Sequence, residues 1–362
     1  MNRDSKIFIA GHRGLVGSAL LRRLKKKGYS RIVTRKRAEL DLTDNRAVRD
    51  FFQKEAPEYV FLAAAKVGGI HANDTYPAEF IYSNLSIQTN VLHQSYLSGV
   101  KRLLFLGSSC IYPRLCPQPM KEKHLLTGPL EPTNAPYAVA KIAGIEMCHA
   151  YNRQHNTQFI PIMPTNLYGP NDNFDLYTSH VLPALIRKCR LIALATEKNM
   201  DAIIRDEALF GPIPEEIKAQ LGIAGNRFQT GKNPKLVIWG TGSPKREFMH
   251  VDDLADASVF LMSLPQEAYL EFGDLATEER REVFPMINVG TGKDQTIKEL
   301  ACQVREKAGI DCEIVYDRSK PDGTPQKQLD LSRLNRLRWR HQIELPDGIG
   351  QTLFWYEETC GI

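Results

Sequence analysis

Four apolar residues, Ile7-Phe8-Ile9-Ala10, run directly into Gly11-His12-Arg13-Gly14-Leu15-Val16-Gly17 and then into a stretch of helical periodicity from Ser18 to Leu24. A buried strand, a glycine turn and a helix in that order leave few folds open. Glycine permits the tight turn and lets backbone N–H groups approach a pyrophosphate, which then lies at the positive end of the helix. A glycine triplet elsewhere would be only a turn; in this context it predicts a dinucleotide site on residues 11–17.

The rhythm continues downstream. Val60 to Ala65, Leu103 to Leu106 and Phe159 to Met163 read as further buried strands, and Gly14 to Lys27, Asn45 to Glu55 and Tyr82 to Ser98 carry helical periodicity. Right-handed strand-helix-strand crossovers stack such helices on both faces, so the fold class expected is α/β, a doubly wound parallel sheet. After Tyr168-Gly169-Pro170 the chain changes to loops rich in Asn, Pro and charge, as far as about Pro244, and a second such region begins near Lys298. The helix-like Asp252 to Leu264 and the strand-like Met286 to Val289 return to the sheet. The division expected is a nucleotide-binding domain of 1–170 plus about 246–297, interleaved with a smaller substrate domain of 171–245 and 298–362. An enlarged insert, about 193–235, has helix-like stretches at Asp201 to Phe210 and Pro214 to Gly222.

Composition excludes several classes. With 362 residues, 43% hydrophobic and 25% charged, the chain is that of an ordinary globular protein. No apolar run approaches the roughly 18 residues of a membrane span, and Ile7 to Ala10 is too short for a signal-peptide core, so the cytosol is expected. Seven cysteines without a C-x-x-C pair or close Cys/His spacing fit neither a disulfide framework nor a zinc site. A charge of +5 without an arginine-rich tract suits small anionic ligands better than nucleic acid.

Cofactor choice is read at the end of the second strand. A carboxylate there would bind a ribose 2′-hydroxyl and favour NAD, whereas arginine suits a 2′-phosphate. Ile32 to Thr34 is followed by Arg35, Lys36 and Arg37, and Arg13 sits in the glycine loop, so NADP(H) is expected. The wall continues through Ala38, Glu39, Leu40, Asp41 and Leu42, with Asp41 framing the adenine pocket.

Asn134 reads as a helix cap with Pro136 in the first turn, which puts Tyr137 and Lys141, at i and i+4, on one helix face. An ammonium beside a phenol favours the phenolate and is expected to lower the tyrosine from its ordinary value of about 10, giving a usable proton donor. Such a pair is common on surfaces. Here it follows the segment Leu104 to Pro113, a strand whose carboxyl end carries Ser108, Ser109 and Cys110, at the edge where open α/β sheets bind ligands. Ser108 could polarise a substrate carbonyl with Tyr137, and Cys110 could act as acid or base. Turn hydroxyls and a small buried cysteine are the ordinary alternatives.

The motifs occur together in dense array: Gly11 to Gly17, Leu62 to Ile70, Gly107 to Pro113, Glu131 to Thr133 with Pro136 to Lys141, Pro164 to Pro170, Arg246 to Asp253 and Lys320 to Pro325. Over nearly the whole chain they resemble the extended short-chain dehydrogenase/reductases of Rossmann-type fold, and within them the branch that makes GDP-L-fucose. That resemblance implies a GDP-4-keto-6-deoxy-D-mannose substrate, epimerised at carbons 3 and 5 and then reduced at carbon 4 by NADPH. It assigns an acid and base to Cys110 and His180, and proton donation during reduction to Tyr137, with Ser108 and Lys141. His180, with an ordinary pKa near 6.5, can give a proton at neutral pH. The resemblance lines the cofactor site with Leu106, Gly107, Ser108, Ser109, Lys141, Pro164, Thr165, Asn166, Leu167 and His180. It places Trp239, Arg246 and Asp322 on the substrate. Where the pattern has an arginine aimed at the phosphates this chain has Lys188, preceded by Arg187, so either could serve. The resemblance also implies a homodimer through a helical face. A 4-epimerase or 4,6-dehydratase would retain NAD, and a dehydratase would carry carboxylates where Ser109-Cys110 stand. A non-catalytic NADP(H)-binding regulator would lose the Tyr/Lys pair.

Overall fold

The computed structural model describes residues 1–225, 227–270, 284–320 and 322–361. Its first half alternates strand and helix: β1 (Ile7–Ala10), α1 (Leu15–Lys26), β2 (Ile32–Val33), α2 (Asn45–Glu55), β3 (Tyr59–Leu62), α3 (Ile70–Thr75), α4 (Pro77–Leu97), β4 (Arg102–Leu106), α5 (Ala135–His155) and β5 (Phe159–Pro164). Side chains alternate across a strand, and the two halves of β1 show it. Ile7 and Ile9 pack with Leu20 and Leu24 of α1, whereas Phe8 and Ala10 pack with Phe51 and Phe52 of α2 and Val91 of α4. Both faces are covered, which is why the central strands read as unbroken apolar runs.

The chain then leaves this layer through β6 (Asn166–Tyr168), α6 (Val181–Thr196), α7 (Met200–Phe210), α8 (Glu215–Gln220), β7 (Ile223–Ala224), β8 (Arg227–Phe228), β9 (Lys235–Trp239) and β10 (Lys245–His250). It returns with α9 (Val251–Ser263), which packs beside α1, followed by α10 (Glu267–Leu270) and β11 (Ile287–Val289). The remaining elements are β12 (Asp294–Thr296), α11 (Ile297–Lys307), β13 (Glu313–Asp317), β14 (Gln326–Lys327), α12 (Ser332–Arg336) and α13 (Leu345–Cys360). The main sheet has the order β11-β5-β4-β3-β1-β2, all parallel, so the doubly wound α/β expectation holds. A smaller sheet, β12-β10-β14 with β6 beside the far part of β10, links the two halves, and β9 pairs with β13. Leu334 and Trp339 pack into the α1/α9 core, whereas α6, α7, α11 and α13 share a separate one.

Two boundaries and one cap differ from the sequence reading. The third strand stops at Leu62, paired with Ala10 where β1 itself ends at the glycine turn; Ala63 N makes the last bond of that ladder, to Ala10 O (3.0 Å). The fourth helix starts at Pro77, where proline is tolerated in the first turn. Asn134 occupies the cap position of α5, but its side chain makes no capping bond; a 3-10 turn over Pro132–Asn134 leads into the helix instead.

Candidate active site

The glycine loop is shaped for a backbone-bound anion. Gly11 has φ +87°, and a Cβ on it would lie 2.8 Å from the backbone of Ala64; one on Gly17 would fall on Gly11 O. Gly14 has only Gly11 O within 4 Å, at 3.7 Å, and it caps α1 without a side-chain bond or an acidic residue in the first turn. The first-turn N–H groups, including those of Leu15 and Val16, therefore face an open approach suited to a pyrophosphate. His12 stands beside it with Nδ1 buried and unpartnered; burial, then Arg13, push its pKa down.

The basic cluster is smaller than expected. Arg35 bonds Glu55 (2.5 Å) and covers the Phe51 ring at 5.6 Å, so it braces α2. Arg13, Lys36 and Arg37 remain exposed, Arg37 lying 3.8 Å from Asp41. Asp41 accepts from Thr43 N (2.9 Å) and Oγ1 (2.8 Å), and these bonds hold its carboxyl below the usual range. Glu39 accepts from Lys36 N (2.7 Å), Ala38 is exposed, and Leu40 and Leu42 are buried in the core, so the side chains of 38–42 do not form one wall.

At the carboxyl end of β4, Gly107 packs against Met163 with no room for a side chain. Ser108 then opens a 3-10 turn over Ser109–Ile111, accepting from Cys110 N at 3.3 Å. Ser109 is buried. The first two turns of α5 bring Tyr137 and Lys141 to the same place. Lys141 Nζ donates to Leu106 O (2.8 Å) and lies 5.7 Å from the Tyr137 ring centroid. Ser108 lies beside the side chains of both Tyr137 and Cys110 and pulls the pKa of each down.

Electrostatics here correct the sequence reading. Burial pushes the Tyr137 phenol well above its ordinary value, Cys110 adds to the rise, and Ser108 opposes it. The expected lowering is reversed because both members of the pair leave water, and burial also brings Lys141 down to about 8. Burial raises the Cys110 thiol as well, against the pull of Ser108, Lys327 and Lys141.

His180 sits at the start of α6 with its ring free of capping duty. The preceding loop is held by the segment after β3: Gly69 N donates to Thr178 O (2.8 Å), and a Cβ on Gly69 would lie 2.6 Å from Ser179 O. The residue is exposed to solvent, yet the protein around it still desolvates its ring. That desolvation, then Lys327, pushes its pKa down.

Beyond Pro164, Thr165 Oγ1 and Asn166 Nδ2 donate to Glu247 O (3.2 and 2.8 Å), and Leu167 pairs with Met249. The segment expected beside the nicotinamide thus braces the strand that carries Arg246. Arg246 is half-buried, with Glu131 and Asp322 as its opposing charges. Asp322 accepts from Thr241 N (2.9 Å) and Oγ1 (2.7 Å). Trp239 is 55% exposed at the end of β9, with Lys320 Nζ 5.2 Å from its ring centroid. Pro321, within the matched Lys320 to Pro325, lies outside the described residues.

The two cations at 187 and 188 separate cleanly. Arg187 is fully buried and bonds Asp206 (2.8 Å), Phe174 O (3.1 Å), Phe210 O (2.9 Å) and Gly211 O (2.5 Å). Lys188 is half-buried and donates to Val237 O (3.1 Å), so of the two it is the one not locked into a buried ion pair. Lys327 was not singled out from sequence, because the matched segment ends two residues earlier at Pro325; it faces Cys110, Arg246 and Glu131.

Residues 7–197 and 191–269 match the NAD dependent epimerase/dehydratase family. The chain belongs to that family. Among its relatives, this epimerase/dehydratase is 48% identical over 354 residues to GDP-L-fucose synthase of Escherichia coli K12, covering 98% of this chain and 97% of that one. It is 49% identical over 355 residues to GDP-L-fucose synthase 1 of Arabidopsis thaliana, covering 98% and 94%. A GDP-D-glycero-L-gluco-heptose synthase from Campylobacter jejuni, solved in the presence of NADPH, superposes with a TM-score of 0.85 at 42% identity over 99% of both chains. Among the described residues no helix is long and apolar enough to cross a membrane, and no His/Cys/Asp/Glu cluster could hold a metal.

Proposed function

We propose that this epimerase/dehydratase is a GDP-L-fucose synthase: it inverts carbons 3 and 5 of GDP-4-keto-6-deoxy-D-mannose and then reduces carbon 4 with NADPH. The observation that carries the reading is that Ser108 stands beside both Tyr137 and Cys110 and lowers the pKa of each, which puts a reductase donor and a carbon-acid base next to one hydroxyl able to bind a carbonyl. The glycine cradle and the exposed Arg13, Lys36 and Arg37 fit NADPH, which when bound supplies the hydride for carbon 4.

A ketone acidifies the hydrogens on its neighbouring carbons. Cys110 as thiolate takes one of them, and the C–H electron pair passes into an enolate whose oxygen is held by the Ser108 and Tyr137 hydroxyls. His180 as imidazolium returns a proton to the opposite face, which inverts the carbon. In the reduction, Tyr137 gives its proton to oxygen 4, and Lys141 stabilises the phenolate left behind. Lys188 and Arg246 meet the diphosphate, and Trp239 and Asp322 flank the nucleoside or sugar. A free catalytic thiol and a consumed NADPH suit the cytosol. The exposed Tyr82 of α4 and Val139 of α5 are apolar side chains on two adjacent outer helices, and they support a homodimer across that face.

NADPH oxidation measured with GDP-4-keto-6-deoxy-D-mannose beside UDP-glucose, GDP-mannose and a GDP-4-keto-heptose tests the assignment. Turnover is expected with the first alone. Its absence there removes the reading, and a preference for the heptose moves the chain to the heptose branch.

A further inference from the structure

Lys327 lies where the mechanism has no named group. Its strand, β14, runs parallel to β10 with Lys327 opposite Arg246. The strand is tied on both sides: Gln118 Nε2 donates to Gln326 O (3.2 Å), Gln328 N donates to Gln118 Oε1 (2.9 Å), and Leu329 N donates to Glu247 Oε2 (2.8 Å). Gln326 directs its side chain to Asp294 (2.7 Å), so strand alternation turns Lys327 to the opposite face, from which its charge acts to lower the pKa of both Cys110 and His180. Gln118 belongs to the loop that follows Cys110. The same staple therefore fixes ammonium and thiol relative to one another.

The charges around the pair leave the thiol as the natural partner. Lys327 faces Arg246, Glu131 and Cys110, and Cys110 faces Ser108, Tyr137, Lys141 and Lys327. Among the described residues no carboxylate comes within ion-pair distance of Lys327; Glu131 is taken by Arg114 (3.4 Å) and Thr324 (3.2 Å). Lys141 is committed to Leu106 O and the Tyr137 ring.

We propose that Lys327 is a positioning residue that favours, against the effect of burial, the Cys110 thiolate which abstracts the substrate proton. This rests on the epimerase role of Cys110 given above. The thiol first loses its proton to water, leaving a thiolate–ammonium pair. The substrate proton then moves to sulfur, the C–H electron pair enters the enolate, and His180 supplies the replacement proton to carbon. Both side chains recover their starting protonation from solvent. The same ammonium disfavours the His180 imidazolium, so removing it moves both groups upward.

The test follows alkylation of Cys110 by iodoacetamide in the full-length, NADP-loaded enzyme between about pH 7 and 11, read on the Cys110 peptide by mass spectrometry. In Lys327→Met the midpoint is expected to rise by about one pH unit or more, and in Lys327→Arg to return toward wild type. Lys327→Gln serves the same purpose where the methionine variant does not fold. An unchanged midpoint in the uncharged variants overturns the proposal. So does a rise of about tenfold in the KM for the GDP-sugar with the alkylation profile unmoved, which assigns the ammonium to the diphosphate. Failure of the substrate assignment would appear separately, as a shifted midpoint in an enzyme that does not oxidise NADPH with GDP-4-keto-6-deoxy-D-mannose.

Discussion

Lys141 shows what burial does to a charge that chemistry requires. Its folded-state pKa of about 8 lies below the unfolded value, so the unfolded chain binds the proton more tightly and the buried ammonium destabilises the fold. That cost, of order 3 kcal/mol, is full below pH 8 and fades as pH rises toward the unfolded value of about 10.4. Lys141→Met should therefore abolish NADPH oxidation while raising cofactor-free stability at pH 7 in urea unfolding. The gain should shrink between pH 8 and 10; a constant gain or a loss would contradict it. At this scale the sequence was legible in part. The pairing of Tyr137 with Lys141 follows from i,i+4 spacing, but the direction of the phenol's shift depends on water lost from both groups. That quantity exists only once Phe105, Ser108 and Cys110 are packed around them. Lys327 was illegible for another reason, since its place depends on a strand pairing between residues more than eighty apart.

Elements built on local signals were read closely, and those set by distant partners were not. The strand Ile7–Ala10 and the helix Asn45–Glu55 fall where apolar pattern and capping place them, Asp44 accepting from Arg46 N and Ala47 N. The strand beginning at Tyr59 stops early because its neighbour β1 ends at Ala10, although the apolar composition continues through Ala63 to Ala65. Arg187 was one of two phosphate candidates until its burial against α7 was known. Its guanidinium holds Asp206, which also accepts from Tyr356 Oη, and so fastens α7 and α13 to α6. Arg187→Leu leaves that carboxylate buried without a counter-charge and should cost about 3–5 kcal/mol in chemical denaturation, with Arg187→Leu/Asp206→Leu recovering most of it. A wild-type denaturation midpoint for the single variant would show that the pair does not support the fold.

On the scale of the whole molecule, the doubly wound sheet follows from the alternation of strand and helix, but the cleft does not. It forms because β10 crosses from the substrate side to pair with β6, and because β14 then lies against β10. Arg246 and Lys327 thereby reach the edge where β4 ends in Ser108 and Cys110. Reduction removes the ketone that acidifies carbons 3 and 5, so under the proposed roles of Cys110, His180 and Tyr137 the enzyme must epimerise before it reduces. The direct measurement is deuterium uptake from D2O into the product, with Cys110→Ser beside wild type. The wild-type product should carry deuterium at carbons 3 and 5, while Cys110→Ser should bind NADPH normally and exchange neither hydrogen. A product without deuterium at those carbons, or exchange by Cys110→Ser at the wild-type rate, would contradict the account.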